Sequence, residues 1–314
     1  AGTYDTNEHG MQPFIVGQVH GTWGKAVQVP GTATLGSGQH AQVTSVSCPS
    51  AGNCGAAGDY TDDSGHEQAF VVSQVKGTWG KAIQVPGTAA TSGRGAGASV
   101  VSLSCASAGN CGAAGDYADN DKVFVVSQVK GTWGTAIGVP GPGQRGAGRF
   151  AQVNSVSCAS AGNCAAGGTY DTNGHGMQPF IVGQVKGTWG KAIQVPGLAV
   201  NTDADATVTS VSCPSAGNCS AGGYYDGGNY SGGYYGGGQP FVVSEVKGTW
   251  GKAIKVPGTI AYAATVTSVS CSSAGNCAAA GYYGNGEGTD RAFVASQVKG
   301  TWGKAIQVPG TTSG

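Results

Sequence analysis

The chain is poor in charge. Asp, Glu, Lys and Arg make up 10% of its 314 residues, and the 16 basic and 16 acidic side chains cancel. A chain without a basic field has nothing to condense on a phosphate backbone, so no nucleic-acid partner is expected. Apolar runs are short. None reaches the roughly 20 residues that a membrane-spanning helix needs, and no membrane insertion is expected. Helical periodicity is missing throughout. No secretory leader is visible and the chain opens in mid-repeat, so it reads as a mature or trimmed part of a secreted protein.

What the chain has is glycine, 59 residues, in a sequence that repeats itself. A segment close to GTWGKAIQVPG recurs at Trp23, Trp79, Trp133, Trp189, Trp250 and Trp302, and these are all 6 Trp residues. A second unit, close to SVSCxSAGNC, precedes it in every copy but the first. Units of this length cannot each bury a core, so they must stack or close on one another.

The 10 Cys fall into pairs: Cys48/Cys54, Cys105/Cys111, Cys158/Cys164, Cys213/Cys219 and Cys271/Cys277. Zinc sites favour C-x2-C spacing with His nearby, and no His stands in that relation to these pairs. Local disulfides in an oxidising compartment fit the spacing better, each stapling its own hairpin. Closing so short a loop contributes about 2.4 kcal/mol in the chain-entropy treatment.

One repeat gives the architecture. Residues 43–48 alternate apolar and polar and read as strand A. Pro49 to Asn53 reads as a turn, and Cys54 to Tyr60 as a narrow strand B of small residues. A polar loop leads to strand C, Ala69 to Val75. Lys76-Gly77-Thr78 forms a tight turn, and Trp79 to Val85 reads as strand D, closed by Pro86-Gly87. The expected fold is all-β, a six-bladed β-propeller of four-stranded antiparallel blades in one domain. Its repeats span about 1–31, 43–87, 100–141, 153–197, 208–258 and 266–310, and the first blade lacks its inner strand. The short A–B and C–D turns fall on one face, and the longer B–C and D–A loops on the other.

The combination of SVSC…CAAG, FVVS and the turn Ser73-Gln-Val-Lys-Gly-Thr-Trp79 resembles the BNR/Asp-box repeat propellers of sialidase-like and secreted actinobacterial-type proteins. The turn keeps the Ser, Gly, Thr and Trp of an Asp box. It has Val75 where the Asp belongs and is one residue shorter. The resemblance implies the fold and carries over no catalytic residue. A sialidase would need several Arg to clamp a carboxylate and a Tyr/Glu nucleophile pair, and Arg94, Arg145, Arg149 and Arg291 do not repeat in such a pattern.

The two faces differ in content. The 12 Tyr, the Arg and every acidic residue but Glu245 fall on the B–C and D–A side, and most Lys fall on the other side or on strand D. Variable loops on a rigid scaffold commonly bind ligands. The candidate binding residues are Tyr4, Asp5, Asn7 and His9; Tyr60, Asp62 and His66; Tyr117, Asp119 and Asp121; Tyr170, Asp171, Asn173 and His175; Tyr225, Asp226, Tyr230, Tyr234 and Tyr235; and Tyr283, Asn285 and Arg291. Tyr offers a flat ring to a sugar C–H face, and Asp, Asn and His offer hydrogen bonds to hydroxyls. Turn-making alone would also use Asp, Asn and Gly there. The near-identical loops of repeats 1 and 4 predict equivalent sites at Tyr4 and Tyr170.

Calcium is a secondary possibility, because Asp5/Asn7, Asp171/Asn173 and Asp119/Asp121 each supply oxygens, but the EF-hand pattern is incomplete. No cofactor is otherwise expected. No G-x-S-x-G context appears, and Asp62 and Asp63 are adjacent and point apart, so the chain is not expected to be an enzyme. The Trp of each GTWG turn is expected to pack between blades rather than serve as a sugar platform. The resulting reading is a secreted, multivalent, lectin-like module with a glycan or cell-surface carbohydrate as partner. The alternatives are a structural or protein-interaction module, or a targeting subunit of a larger secreted assembly, and third a glycoside hydrolase.

Overall fold

The computed structural model describes residues 1–6, 10–36, 40–89, 97–117, 122–140, 150–171, 176–198, 205–226, 238–259, 262–284 and 290–310. They divide into two compact units, Ala1–Val139 and Pro140–Gly314. In the first unit, repeat 2 folds as Ala41–Ser50, Asn53–Thr61 and Glu67–Val75, with Thr78–Trp79 and Ile83–Gln84 both on the outer strand. Repeat 3 follows the same plan from Ala98–Ser107 to Ile137–Gly138. Repeat 1 is a three-stranded sheet of Gly2–Thr6, Gly10–Ile15 and Val27–Gln28, with a small hairpin beside it. In the second unit the sheets of repeats 4, 5 and 6 begin at Ala151–Ser160, Ala206–Ser215 and Tyr262–Ser273. Every strand pair within the sheets is antiparallel, and the order A–B–C–D read from the sequence is observed.

Three details depart from the sequence reading. Strands A and B run further than expected, because Ser50 pairs with Asn53 and leaves only Ala51-Gly52 as the turn. Strand D is broken. Gly80 N–H bonds Ser73 O at 2.9 Å, and Ala82 N–H then leaves its own sheet for Pro30 O of the preceding repeat at 2.7 Å. The same donation recurs from Ala136, Ala253 and Ala305 to Pro86, Pro196 and Pro257. A single helical turn, Thr32–Leu35, carries no periodic signal because it is four residues long.

The repeated motifs have structural reasons. In SVSC the serines point to the next sheet within each unit. Ser45 and Ser47 Oγ accept the N–H groups of Leu103 and Cys105, and Ser155 and Ser157 those of Val211 and Cys213, each at 3.0 Å. In SAGN the asparagine clasps both turns of its repeat. Asn163 Nδ2 donates to Ser160 Oγ and Ala161 O, and its Oδ1 accepts Lys186 N–H at 3.2 Å. Lys186 and Gly187 both have positive φ, 49° and 86°, which a type I′ hairpin requires.

The five disulfides form as expected, Cys48–Cys54, Cys105–Cys111, Cys158–Cys164, Cys213–Cys219 and Cys271–Cys277, with Cα–Cα distances of 3.9–4.1 Å. Each bond staples its own hairpin, and the same sulfurs also take part in packing. Cys105, Cys111, Cys164, Cys213, Cys219 and Cys277 are buried, each 6–8% exposed. Cys111 belongs to the cluster that holds Ala57 of repeat 2, Cys219 to the one that holds Ala165 of repeat 4, and Cys277 to the one that holds Val242 of repeat 5. The sulfurs fill the layer between sheets because the preceding strand B is too small to fill it. These cysteines are therefore core residues as well as cross-links. They present no thiol to a ligand, since every one is bonded. Strand B is narrow for the matching reason: a Cβ on Gly55 would sit 2.9 Å from Cys105 Sγ and 3.5 Å from Cys111 Sγ. Replacing Cys158 and Cys164 by Ser is expected to lower stability by about 2.4 kcal/mol, read in a urea melt.

The Trp expectation holds where the preceding sheet lies in the same unit. Trp133 shares a buried cluster with Val71 and Val85 of repeat 2, and Trp302 one with Val242 and Val256 of repeat 5. Trp23 of repeat 1 is 64% exposed.

Candidate functional site

A cavity of the second unit, open to solvent, lies between repeats 4 and 5, at the strand ends that carry the variable loops. It encloses about 520 Å³. Its polar walls are Gln152, Asn154, Thr169, Asp205, Thr207 and Thr209, and Phe150, Met177 and Tyr224 supply apolar surface.

Strand register places these groups. Gln152 pairs with Thr169 and Thr207 with Tyr224, so each pair shares a sheet face. The ladders then slip between Val153 and Ser155 and between Val208 and Ser210. The extra residues in these bulges, Asn154 and Thr209, are turned toward the neighbouring strand A. Asn154 Nδ2 donates to Thr207 Oγ1 at 2.9 Å and to Val208 O at 2.8 Å. Thr169 Oγ1 donates to Ala206 O at 2.8 Å. Asp205 Oδ1 accepts Met177 N–H, and Asp205 O accepts Asp226 N–H. The floor is thus fixed by its own hydrogen bonds.

Gln152 is the exception. Its equivalent in repeat 2, Gln42, donates to Asp59 Oδ1 at 3.0 Å. Repeat 4 has Thr169 in place of that carboxylate, and the Thr169 hydroxyl is engaged elsewhere. Gln152 therefore lines the cavity without its repeat-2 partner. Tyr224 is held above the ordinary tyrosine range, first by burial and then by Asp205, Asp226 and Tyr282. Burial, reinforced by Asp205, also raises the Asp226 carboxyl.

The residues expected from sequence are placed differently from one another. Tyr60 and Tyr170 are each only 5% exposed, and Tyr170 leans on Phe180 with ring centroids 6.3 Å apart. Burial raises both hydroxyls. Tyr117, Tyr225 and Tyr283 rest on Phe124, Phe241 and Phe293 in the same way. The recurring Tyr is therefore part of the layer between sheets, and the ring face a sugar would need is covered at Tyr60 and Tyr170. Tyr4 is 42% exposed, so the matching loops of repeats 1 and 4 present their Tyr unequally. Asp62 builds its own loop: its carboxylate accepts Ser64 N–H, His66 N–H and Gln68 Nε2. Burial raises this carboxyl, but those bonds and His66 outweigh it and hold it below the usual range. Asp5 is exposed, Asp171 ends strand B, and Arg291 pairs with Tyr283. Asn7, His9, Asp119, Asp121, Asn173, His175, Tyr230, Tyr234, Tyr235 and Asn285 lie outside the described residues.

Sequence reading did not single out Phe150, Gln152, Asn154, Asp205, Thr207 or Tyr224. One signal was present. The position before the recurring Tyr reads Thr3, Asp59, Asp116, Thr169, Tyr224 and Tyr282, and it varies while its neighbours repeat. Among the described residues no three His, Cys, Asp or Glu side chains gather as metal ligands. Among the same residues no helix is long and apolar enough to cross a membrane.

No family model matches the chain, and no curated protein matches it. Solved structures do. An ancestral GH74 enzyme matches at a TM-score of 0.51 and 12% identity over 98% of this chain, which spans 36% of that protein's length. An α-L-arabinanase from Penicillium chrysogenum, complexed with arabinobiose, matches at 0.47 and 12% identity over 85% of this chain and 81% of its own. An ulvan lyase of polysaccharide lyase family PL25 matches at 0.47 and 12% identity over 83% and 70%. The repeated blades are thus of β-propeller type. The expectation that the chain is not an enzyme is corrected here. The fold it shares with the GH74 protein is one on which an enzyme is built, so neither missing motifs nor architecture excludes catalysis.

Proposed function

We propose that the chain recognises carbohydrate in the cavity between repeats 4 and 5. The observation that carries this reading is the chemistry of the wall. Gln152 and Tyr224, which carry an amide and a hydroxyl, line a cavity that also offers the apolar surfaces of Phe150 and Met177. A pyranose needs that pairing: an aromatic plane for its C–H face and fixed donors and acceptors for its hydroxyls. About 520 Å³ suits one or two sugar residues. The similar solved structures with carbohydrate-processing names support the same substrate class. The reading extends to a secreted, disulfide-stapled protein whose six repeats close as blades of one ring, with further glycan contacts in other loops and no requirement for calcium.

The test is a glycan array with the full chain, followed by calorimetry on the best neutral oligosaccharide, with EDTA present and the products analysed in the same samples. Tyr224→Ala is expected to weaken binding about two- to tenfold, since an aromatic contact is worth about 0.5–1.5 kcal/mol. Gln152→Ala is expected to weaken it about fivefold. Unchanged affinity in both variants, with the fold intact, overturns the assignment of this cavity.

A further inference from the structure

A second cavity opens between the same two repeats, on the side of the invariant turns. It encloses about 280 Å³. Cys164, Val185 and Ala216 give it apolar surface, and Gly183, Glu245 and Lys247 are among its other lining residues.

Its origin is legible by comparing repeats. The second residue before the positive-φ turn residue (Lys, or His20 in repeat 1) is Gln in five copies: Gln18, Gln74, Gln128, Gln184 and Gln297. That Gln closes its own hairpin. Gln297 Nε2 donates to Gly300 O at 3.2 Å and also to Ser244 Oγ of the preceding repeat at 3.0 Å. Gln128 does the same with Gly131 O and Ser73 Oγ. Between repeats 4 and 5 both members of this pair change together: Glu245 replaces the Gln and Gly183 replaces the Ser. Where only the Ser is missing, opposite Gly17, Gln74 still donates to Gly77 O at 3.1 Å. An ionised Glu245 cannot supply that N–H, because a carboxylate only accepts. Glu245 and Gly248 both line this cavity, so a carboxylate stands where other repeats carry an amide donor, and Gly183 leaves the space that a Ser hydroxymethyl would occupy.

We infer that this cavity is a binding site for a primary ammonium on a short aliphatic stem, such as a lysine side chain. The ammonium supplies three donors where Glu245 and the Gly248 carbonyl offer acceptors, and the stem lies along Cys164, Val185 and Ala216. Burial raises the Glu245 carboxyl above its ordinary value, and a bound cation would relieve that cost. Lys247 is exposed at the rim, and among the described residues no ion pair joins it to Glu245. This site is independent of the proposed sugar cavity.

The experiment titrates the full chain with n-butylammonium chloride, with n-butanol as the uncharged control, and follows the amide signals of Glu245 and Gly248 by NMR. A saturable shift with the amine and none with the alcohol is expected. Glu245→Gln and Gly183→Ser each restore a residue that other repeats carry. Nothing lies within 4 Å of a Cβ at Gly183, so the second variant also keeps the fold. Each is expected to weaken amine binding at least tenfold, while Tyr224→Ala leaves it unchanged. A non-saturating response, an equal response to butanol, or undiminished binding in Glu245→Gln overturns the inference.

Discussion

Asp59→Asn is expected to stabilise the chain at neutral pH by about 3 kcal/mol and to flatten its pH–stability profile between about pH 4 and 6. Asp59 is 1% exposed in strand B of repeat 2. Its carboxyl is pushed from 3.8 to about 6, chiefly by burial and further by Glu67, against the Gln42 hydrogen bond and His40, which lower it. The folded state therefore holds this proton more tightly than the unfolded chain does. Stability from this group is fully present below about pH 4 and falls as pH rises through about 6, by about 3 kcal/mol at 1.36 kcal/mol per tenfold. An Asn keeps the oxygen that accepts Gln42 Nε2 and carries no charge to desolvate. Urea melts of both proteins from pH 4 to 8 read the difference directly. Parallel profiles would show that water reaches Asp59 and that its burial costs little. Asp62 supplies the opposite sign. Its lowered carboxyl contributes stability that is lost as pH falls, so Asp62→Asn should matter less in acid than at neutral pH.

How much of this was legible in the sequence depends on which interactions a residue makes. Strand order, the disulfide pairing and the turn faces were readable because they are local: alternation, two-residue turns and Cys spacing all act within one repeat. The packing role of the same cysteines was not, because Cys111, Cys219 and Cys277 are buried against the sheet before their own. Nor was the meaning of SVSC, since Ser45 and Ser47 spend their hydroxyls on a strand more than fifty residues away. The same distance hid the break in strand D, where Ala82 donates to Pro30. A Tyr in every repeat reads as a recognition residue. Tyr60 and Tyr170 show instead that the repeated ring packs, because a position held constant across repeats serves the contact that repeats. The residues that line the cavity are those that vary, Thr169 and Tyr224 against Asp59 and Asp116. The carboxylate exchanged for Thr169 is what leaves Gln152 in the cavity wall without its repeat-2 partner.

That same wall depends on one glycine. Gly168→Ala is expected to destabilise the second unit by about 3 kcal/mol or more and to abolish binding in the cavity between repeats 4 and 5. Gly168 pairs with Val153 where the ladder slips, and there strand A crosses so close that a Cβ would collide with Gln152 O and lie 2.8 Å from Val153 Cα. Both obstacles are backbone, so no rotamer relieves them and the strand itself must move. The same contact recurs at Gly58, Gly115, Gly223 and Gly281, against the carbonyls of Gln42, Ser99, Thr207 and Thr265. The bulge, not the turn chemistry, therefore requires glycine in strand B. Moving strand A at this point shifts Gln152 and Asn154 together, which breaks the Asn154 bonds to Thr207 and Val208 that fix the cavity floor. Gly183→Ala, on the adjacent strand with nothing within 4 Å of its Cβ, is the control and should change stability by less than about 0.5 kcal/mol. Urea melts and calorimetry of the two variants test both halves. If Gly168→Ala melts like the control, strand A yields without cost and the bulge is not what holds Gln152 in place. If Gly168→Ala is destabilised yet still binds sugar with full affinity, the cavity does not depend on the placement of Gln152 and Asn154.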